Sequence, residues 1–308
     1  MGFNRIEAKF RAKVSIRHGQ PNVMKVALVY LLLTSLLSMV VNYFVFDPRD
    51  VIRELYYYGY GAEDSLDILN YVWGLYASQI GLFSLVSFAL SIYSTIMGFG
   101  FTSYALRLSR NEDPELSHIF DGFLKILRVL WMTFLKGFFT NLWALLGMLP
   151  GTVFLVVGVV ADMDVDALVG LFLLSMVLAM FLGVMATLRY SMSEYCLLDD
   201  PSRTARECIT QSKKLMKGRK MELLTLEFSF VGWMLCGELL ITALSQIWYV
   251  AGVVGMVAFN MWYLPYYSVT QANFYNFVSG WSSPFSQGDT DWDSRMKDFN
   301  DAFDKPDL

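Results

Sequence analysis

Long apolar segments, separated by short charged ones, constrain this chain more than any other feature of its sequence. The hydrocarbon core of a bilayer is about 30 Å thick, and an α-helix needs about 20 apolar residues to cross it. Apolar residues make up 55% of the chain and charged residues only 17%, whereas a soluble globular domain has about 25% charged residues. Six segments meet the requirement, at 23–46, 72–106, 129–161, 167–188, 223–250 and 251–278. We therefore predict an all-α fold, a polytopic helical membrane protein with six transmembrane helices and with cytoplasmic amphipathic helices.

The boundaries inside these segments follow from their glycine and proline residues. The fifth and sixth segments touch, which indicates a helical hairpin with a very short turn near Gly252. The second is longer than a bilayer requires, and Gly98 and Gly100 offer it a bend. Pro150 lies within the third segment, which we interpret as one helix because proline is tolerated in membrane helices. The alternative is a re-entrant pair of helices broken at Pro150.

The distribution of basic residues predicts the orientation. Of the 24 Lys and Arg residues, only Arg49 and Arg53 fall in the predicted outer loops. Most of the others lie in residues 1–25, 107–128 and 189–220. Because Lys and Arg are enriched in cytoplasmic loops, we predict that the N-terminus and the C-terminus are both cytoplasmic. The mild net charge of −4 therefore conceals a strongly basic inner surface.

Three parts of the chain are distinguished by these patterns. Residues 1–22 are predicted to form an N-terminal cytoplasmic amphipathic helix, 23–278 the six-span membrane domain, and 279–308 an acidic cytoplasmic tail. The apolar residues of the first part recur at helical spacing: Phe3, Ile6, Phe10 and Val14. With basic residues on its other faces, this helix is expected to lie on the inner leaflet.

Two further cytoplasmic helices are predicted. One follows Asp199-Asp200-Pro201, which suits a helix start, and ends at Gly218. The other runs from about Leu116 to Arg128 into the third span. We expect the basic residues of the first and second amphipathic helices to contact anionic lipid, and the alternative is a docking platform for a protein partner. These residues are Arg5, Lys9, Arg11, Lys13, Arg203, Arg206, Lys213, Lys214 and Lys217. No nucleic-acid partner is expected, because no fold signature for nucleic-acid binding accompanies the charge.

The tail from Gly280 onward changes character, with seven Asp and three basic residues. Its large apolar side chains fall on one helical face: Trp292, Met296, Phe299 and Phe303. This spacing predicts a short acidic amphipathic helix that docks on the basic inner loops or on another protein. Disorder is the alternative. The Asp289, Asp291 and Asp293 series lacks the glycine and the closing glutamate of a calcium loop.

Polar residues inside the fifth and sixth spans predict a candidate site. Glu227 and Glu238 are three helical turns apart on one face of the fifth span. The polar residues of the sixth span form one stripe: Asn260, Tyr263, Tyr267, Thr270 and Gln271. Lys136 and Glu227 lie in the inner third of their predicted spans, and Arg189 lies at the inner end of the fourth span. Because an unpaired charge in the membrane is costly, we expect Glu227 to pair with Lys136 or Arg189. The alternative is a path for a proton, a cation or a polar substrate.

Other motifs indicate packing rather than chemistry. Small residues spaced by three and four along the second span form a seam for close helix packing. Gly147 and Gly151 form a GxxxG pair, which likewise predicts close helix packing within the chain. For both features, homodimerisation is the alternative. The three cysteines form no CxxC, and no metal ligand set, phosphate-binding loop or nucleophile motif is present in the sequence. We therefore expect no cofactor, no metal and no enzymatic activity.

Ordered motifs in the second half are similar to one family of bacterial membrane proteins, catalogued as domain of unknown function 975. The motifs are Tyr190-Ser-Met-Ser-Glu-Tyr195, Asp199-Asp200-Pro201, Ser212-Lys-Lys-Leu-Met216-Lys-Gly218, Phe228-Ser-Phe-Val-Gly232-Trp233, Pro265-Tyr266-Tyr267 and Phe274-Tyr275, with Arg11-Ala-Lys13 more weakly. The resemblance implies a multi-pass protein of the bacterial cytoplasmic membrane. It implies no activity and no catalytic residue.

Two functions remain open from the sequence. The first is a non-enzymatic scaffold that uses its basic elbow, residues 199–218, and its acidic tail to bind a partner at the inner leaflet. The second is a transporter or transport accessory that uses the polar stripe between the fifth and sixth spans.

The predicted orientation leads to a labelling experiment. Single cysteines placed in 47–71, in a background where Cys196, Cys208 and Cys236 are replaced, should react with an impermeant maleimide on intact cells. Cysteines placed in 203–217 should react only after lysis. The reverse pattern would contradict the predicted orientation.

Overall fold

A computed structural model describes residues 3–19, 21–45, 65–161 and 163–281, together with positions 53 and 56. These residues form helices and no strand. The α-helices are α1 Arg5–His18, α2 Val23–Leu31, α3 Leu37–Val45, α4 Ser65–Ser109, α5 Ile126–Val160, α6 Val165–Tyr190, α7 Ser193–Asp199, α8 Ala205–Leu215, α9 Lys220–Ile247 and α10 Tyr249–Ser279. A π-helical turn, Leu32–Leu36, joins α2 to α3, and a 3-10 helix, Leu116–Lys125, precedes α5. The predicted all-α fold is confirmed.

Among the residues that the structure describes, five helical segments are long and apolar enough to cross a membrane. They are Val23–Val41, Gly81–Ser109, Leu116–Val160, Val165–Asp199 and Lys220–Ile247. The sixth predicted span corresponds to α10, a continuous helix of 31 residues that is not among these five. Its tyrosine, asparagine and glutamine side chains make it less apolar than the others.

The long helices differ in detail from the sequence prediction. α4 runs without a break through Gly98 and Gly100, and α5 runs through Pro150. The alternative of a re-entrant pair at Pro150 is therefore wrong. The turn between α9 and α10 falls at Trp248, whose extended backbone separates the two helices, rather than at Gly252.

Glycines in α4, α5 and the 3-10 helix serve close approach of neighbouring elements. A Cβ on Gly100 would overlap the carbonyl of Ile119, and one on Gly122 would overlap that of Ile96. In the α5–α6 hairpin, a Cβ on Gly147 would lie 2.5 Å from the Ala179 Cα atom. Lacking Cβ atoms, these residues let helices touch backbone to backbone. The GxxxG pair thus packs within the chain, as predicted.

Most of the buried side chains among the described residues lie at one end of the bundle. We call this end the cap; it consists of α1, the 3-10 helix, α7 and α8 together with the helix ends that they cover. Its largest fully buried side chains include Tyr104, Tyr190, Phe230 and Phe274. By contrast, α5 and α6 expose many apolar side chains along their outer faces, which suits contact with lipid.

The close approach at Gly100 leads to a stability prediction. Gly100→Ala should lower the free energy of unfolding by about 1–3 kcal/mol, the usual cost of overpacking, because the new methyl group meets backbone that cannot move aside. Gly137→Ala is the matched control, since nothing lies within 4 Å of its added Cβ. Thermal unfolding of the two variants in detergent measures the difference. Equal midpoints would show that α4 and the 3-10 helix are not in backbone contact.

Candidate functional site

Glu227 on α9 is held by two side chains of α10. Its carboxyl oxygens accept hydrogen bonds from the Tyr267 hydroxyl, at 3.1 and 3.0 Å, and from the Gln271 amide, at 2.6 Å. The Tyr267 ring stacks on that of Tyr263, with centroids 5.8 Å apart. Phe230 packs edge-on against Tyr267, with centroids 5.4 Å apart. A polar contact between the fifth and sixth predicted spans therefore exists at this level.

The other predicted members of the polar stripe bond to their own helix. Asn260 donates to the Met256 carbonyl at 2.9 Å, and Thr270 donates to the Tyr266 carbonyl at 2.7 Å. Within the described parts of the chain, the Tyr263 hydroxyl forms no hydrogen bond. The stripe predicted from spacing is thus a local contact around Glu227 rather than a seam through the bundle.

The ion pair predicted for Glu227 is wrong. Lys136 bonds instead to Glu194 of α7, with Nζ and Oε1 2.8 Å apart. Arg189 contributes its backbone carbonyl, which accepts a hydrogen bond from the Ser212 hydroxyl at 3.0 Å. The prediction was based on the positions of these residues along their spans. It was wrong because the chain folds back into α7 after Tyr190 and brings a second acid, Glu194, next to Lys136. Glu238 lies on the exposed side of α9.

The apolar side of α8 is buried, so its basic side faces outward. Ala205, Cys208 and Ile209 are buried against the bundle. The Ser212 hydroxyl, also buried, accepts a hydrogen bond from the Met192 amide at 3.2 Å. The exposed basic residues of α8 and of the turn after it are Arg206, Lys214 and Lys217.

The start of α8 differs from the prediction. Thr204 caps the helix and forms a capping box with Glu207, so the helix begins after Thr204 rather than at Asp200-Pro201. Asp200 instead closes the preceding turn, and hydrogen bonds from the hydroxyl and backbone N–H of Ser202 lower the pKa of its carboxyl group. Arg203 bonds to the same Asp200 carboxyl group at 3.1 Å.

An open cavity of about 370 Å³ lies on this basic side of α8. Its lining residues are Arg203, Arg206, Glu207, Thr210, Gln211 and Lys214. Lys213 points elsewhere, with its ammonium 5.4 Å from the Phe139 ring and 5.5 Å from the Tyr190 ring. Lys213 is therefore a packing residue, and it contributes less to the outward charge than predicted.

α1 packs on α10 with a face other than the predicted one. Ala8 and Ala12 are buried, whereas Ile6 is 69% exposed. The Asn273 amide donates to the Ala8 carbonyl at 3.0 Å, and Phe3 packs edge-on against Phe274 at 4.8 Å. Small residues allow this close approach, so α1 is docked on the bundle through its alanines with Phe3 packed beside them, while Ile6 of the predicted apolar face stays exposed.

The basic residues of α1 divide into two groups. Lys9 donates to the Ser229 carbonyl at 3.2 Å, and its ammonium lies 4.2 Å from the Phe230 ring centroid. Burial, with the charges of Arg5 and Lys13, lowers the pKa of Lys9. Arg5, Arg11 and Lys13 are exposed, and Arg11 pairs with Glu7 of the same helix.

A polar network joins the end of α4 to α7 and α10. It was not predicted from the sequence. Arg110 bonds to Asp199 at 2.7 Å and to the Asn276 side-chain oxygen at 3.0 Å. The Tyr275 hydroxyl donates to the other Asp199 oxygen, and Tyr275 stacks on Tyr195 with centroids 5.0 Å apart. The signal was present, since Tyr195, Asp199 and Tyr275 all belong to the motifs quoted above. Those motifs meet in space.

The predicted tail contacts lie outside the described residues. They are Trp292, Met296, Phe299 and Phe303. The described part of the chain ends at Trp281, whose ring lies 5.2 Å from the Arg110 guanidinium carbon.

The fold and these contacts define a helical protein whose apolar helices are compatible with a membrane. The chain matches the model of a family described as a protein of unknown function (DUF975) over residues 1–282. It therefore belongs to that family, as the motifs indicated. No curated protein and no solved structure matches the chain.

The contact around Glu227 leads to a second stability prediction. Tyr267→Phe removes the hydroxyl that both carboxyl oxygens share, and the free energy of unfolding should fall by about 1–3 kcal/mol. Tyr263→Phe is the matched control, because it removes a neighbouring hydroxyl that has no described partner. Thermal unfolding in detergent compares the two. If Tyr263→Phe costs as much as Tyr267→Phe, the contact with Glu227 does not stabilise the fold.

Proposed function

We propose that this protein is a non-enzymatic scaffold at the inner leaflet of the bacterial cytoplasmic membrane and that it binds an acidic protein partner through α8. The observation that carries the proposal is the outward basic side of α8. Arg206, Lys214 and Lys217 are exposed there, and none of them forms an ion pair with a residue that the structure describes.

The rigid attachment of α8 to the bundle supports the proposal that its basic side chains bind a partner rather than only contact water. Its buried apolar side and the two hydrogen bonds of Ser212 hold it against α6 and the residue that precedes α7. Its capping box fixes its own first turn. A fixed helix presents its charges without losing much conformational freedom on binding. The cavity between Arg203, Arg206 and Lys214 gives an acidic side chain a concave place to enter.

The acidic tail suggests how such a site is regulated. Residues 279–308 carry seven Asp and complement the charge of α8 in the same chain. In this proposal the tail competes with the partner, or extends the docking surface to it. Anionic lipid at the inner leaflet contacts the exposed basic residues of α1.

We assign no catalytic activity to the chain. The polar side chains that the fold brings together use their hydrogen bonds on one another, around Glu227 and around Arg110. Such mutual bonding is typical of structural contacts.

A transporter or transport accessory is the second candidate. The observation that favours it is Glu227, a half-buried acid between two helices whose bonded partners, Tyr267 and Gln271, are neutral. Such a group can take up a proton or a cation. Proteoliposomes containing a pH-sensitive dye measure this: proton flux that Glu227→Gln abolishes would support transport, and equal flux in both proteins would exclude it.

The scaffold proposal is tested by reversing the charge of α8. Crosslinking and mass spectrometry in native membranes should detect partner peptides attached to 203–217 in the wild type, and these should be lost in Arg206→Glu/Lys214→Glu/Lys217→Glu. The matched control reverses two exposed charges outside the predicted contact set, Arg17 and Lys25, and should retain the partner. An identical set of crosslinked proteins in all three samples would contradict the proposal.

A further inference from the structure

A second cavity, of about 310 Å³, lies where the end of α4 meets the 3-10 helix and the end of α7. Its apolar lining is Phe99, Leu106, Leu124 and Leu198. Its charged lining is Arg107, Arg110, Glu112, Asp121, Lys125 and Asp199. Three cations and three anions therefore face one space that also has apolar walls. The volume is at the lower end of the range of about 300–1,000 Å³ for small-molecule sites.

Most of these charges are already neutralised in pairs. Arg110 bonds to Asp199 at 2.7 Å, and Arg107 lies 3.8 Å from Glu112. Lys125 and Asp121 remain, and no ion pair of either one is present in the described parts of the chain. The Ser103 hydroxyl donates to one Asp121 oxygen at 2.6 Å and so fixes that carboxyl group at the cavity wall. One cation and one carboxyl group thus line the same cavity without pairing.

The cavity opens beside an apolar surface that continues a membrane helix. Leu124 is 81% exposed and Leu127 is 83% exposed, and Phe120 and Phe123 are exposed next to them. This surface leads directly into α5, and the two together, Leu116–Val160, are long and apolar enough to cross a membrane. A 3-10 helix with exposed large apolar residues and basic neighbours is typical of an element at the bilayer interface.

We propose that this cavity binds the headgroup of a zwitterionic phospholipid that carries a primary amine, of the phosphoethanolamine type. Lys125 takes the phosphate, Asp121 takes the ammonium, and the acyl chains lie along Leu124, Leu127 and α5. Charge complementarity selects this ligand: an anionic headgroup leaves Asp121 without a cation, and a trimethylammonium headgroup has no N–H to donate to it. The site is separate from α8 and does not depend on the proposed scaffold function.

Native mass spectrometry of the full-length protein tests the proposal. The protein is equilibrated in detergent with equal amounts of phosphatidylethanolamine, phosphatidylglycerol and phosphatidylcholine of the same acyl chains. The wild type should retain phosphatidylethanolamine about tenfold more than either competitor, the size expected for one charge-assisted hydrogen bond. Lys125→Gln should weaken retention of all three lipids, and Asp121→Asn should abolish the preference among them.

Matched controls are an exposed cation and an exposed carboxyl group away from both cavities, Lys25 and Asp166. Lys25→Gln and Asp166→Asn should keep the wild-type preference. Soluble glycerophosphoethanolamine at the same concentration should not displace the lipid, because it lacks the chains that the apolar surface holds. Displacement by it would overturn the assignment to a membrane lipid.

Equal retention of the three lipids by the wild type, or an unchanged preference in Asp121→Asn, would overturn the proposal. If Asp121→Asn does not fold, Ser103→Ala replaces it, since that variant removes only the hydroxyl that orients Asp121. Ser103→Ala should reduce the preference several-fold, and an unchanged preference there would equally count against the site.

Discussion

The cap depends on the bonds that the guanidinium of Arg110 makes to its neighbours. Its side chain is 13% exposed, and a cation so removed from water needs a counter-charge and hydrogen-bond acceptors to offset its lost hydration. Asp199 of α7 and Asn276 of α10 both bond to it. Three helices from distant parts of the chain therefore meet at one residue at the end of α4. Loss of Asp199 would leave the Arg110 charge unpaired, and loss of Asn276 would leave one of its N–H groups without an acceptor.

The position of α8 follows from this contact. α7 ends at Asp199, and α8 begins six residues later at Ala205, so fixing Asp199 fixes the start of the elbow. The stacking of Tyr195 on Tyr275 and the Ser212 hydrogen bonds then hold the rest of the elbow against the bundle. The outward basic side of α8 is a consequence of how its inner side is held. The Arg110 network therefore helps to orient the basic side of α8, which is the proposed binding surface.

Helices and motifs were predictable from the sequence because their causes are local. Apolar segments long enough to cross a bilayer must satisfy their backbone groups internally, and the helix is the simplest way to do so. The close packing at Gly147 was predictable for a similar reason, since a GxxxG pair presents a flat surface on one side of a helix. The quoted motifs were recognisable in the sequence as a set. The structure gives three of their residues a role, because Tyr275 stacks on Tyr195 and donates a hydrogen bond to Asp199.

Side-chain pairing was not predictable, because it depends on how helices rotate and where short ones fold back. Lys136 bonds to Glu194 rather than to Glu227 because α7 is a separate short helix. α1 buries Ala8 and Ala12 because α10 approaches closely enough to need small residues. Arg110 looked like one of several inner basic residues, and only tertiary structure distinguishes it from Arg107.

Hydrogen–deuterium exchange of the full-length protein in lipid nanodiscs tests the central claim, that the Arg110 network holds the elbow in place. In Arg110→Gln, backbone amides of α7 and α8 should exchange faster than in the wild type, whereas those of the α5–α6 hairpin should keep their rates. Unchanged protection of α7 and α8, or an equal loss of protection along the whole chain, would contradict the account.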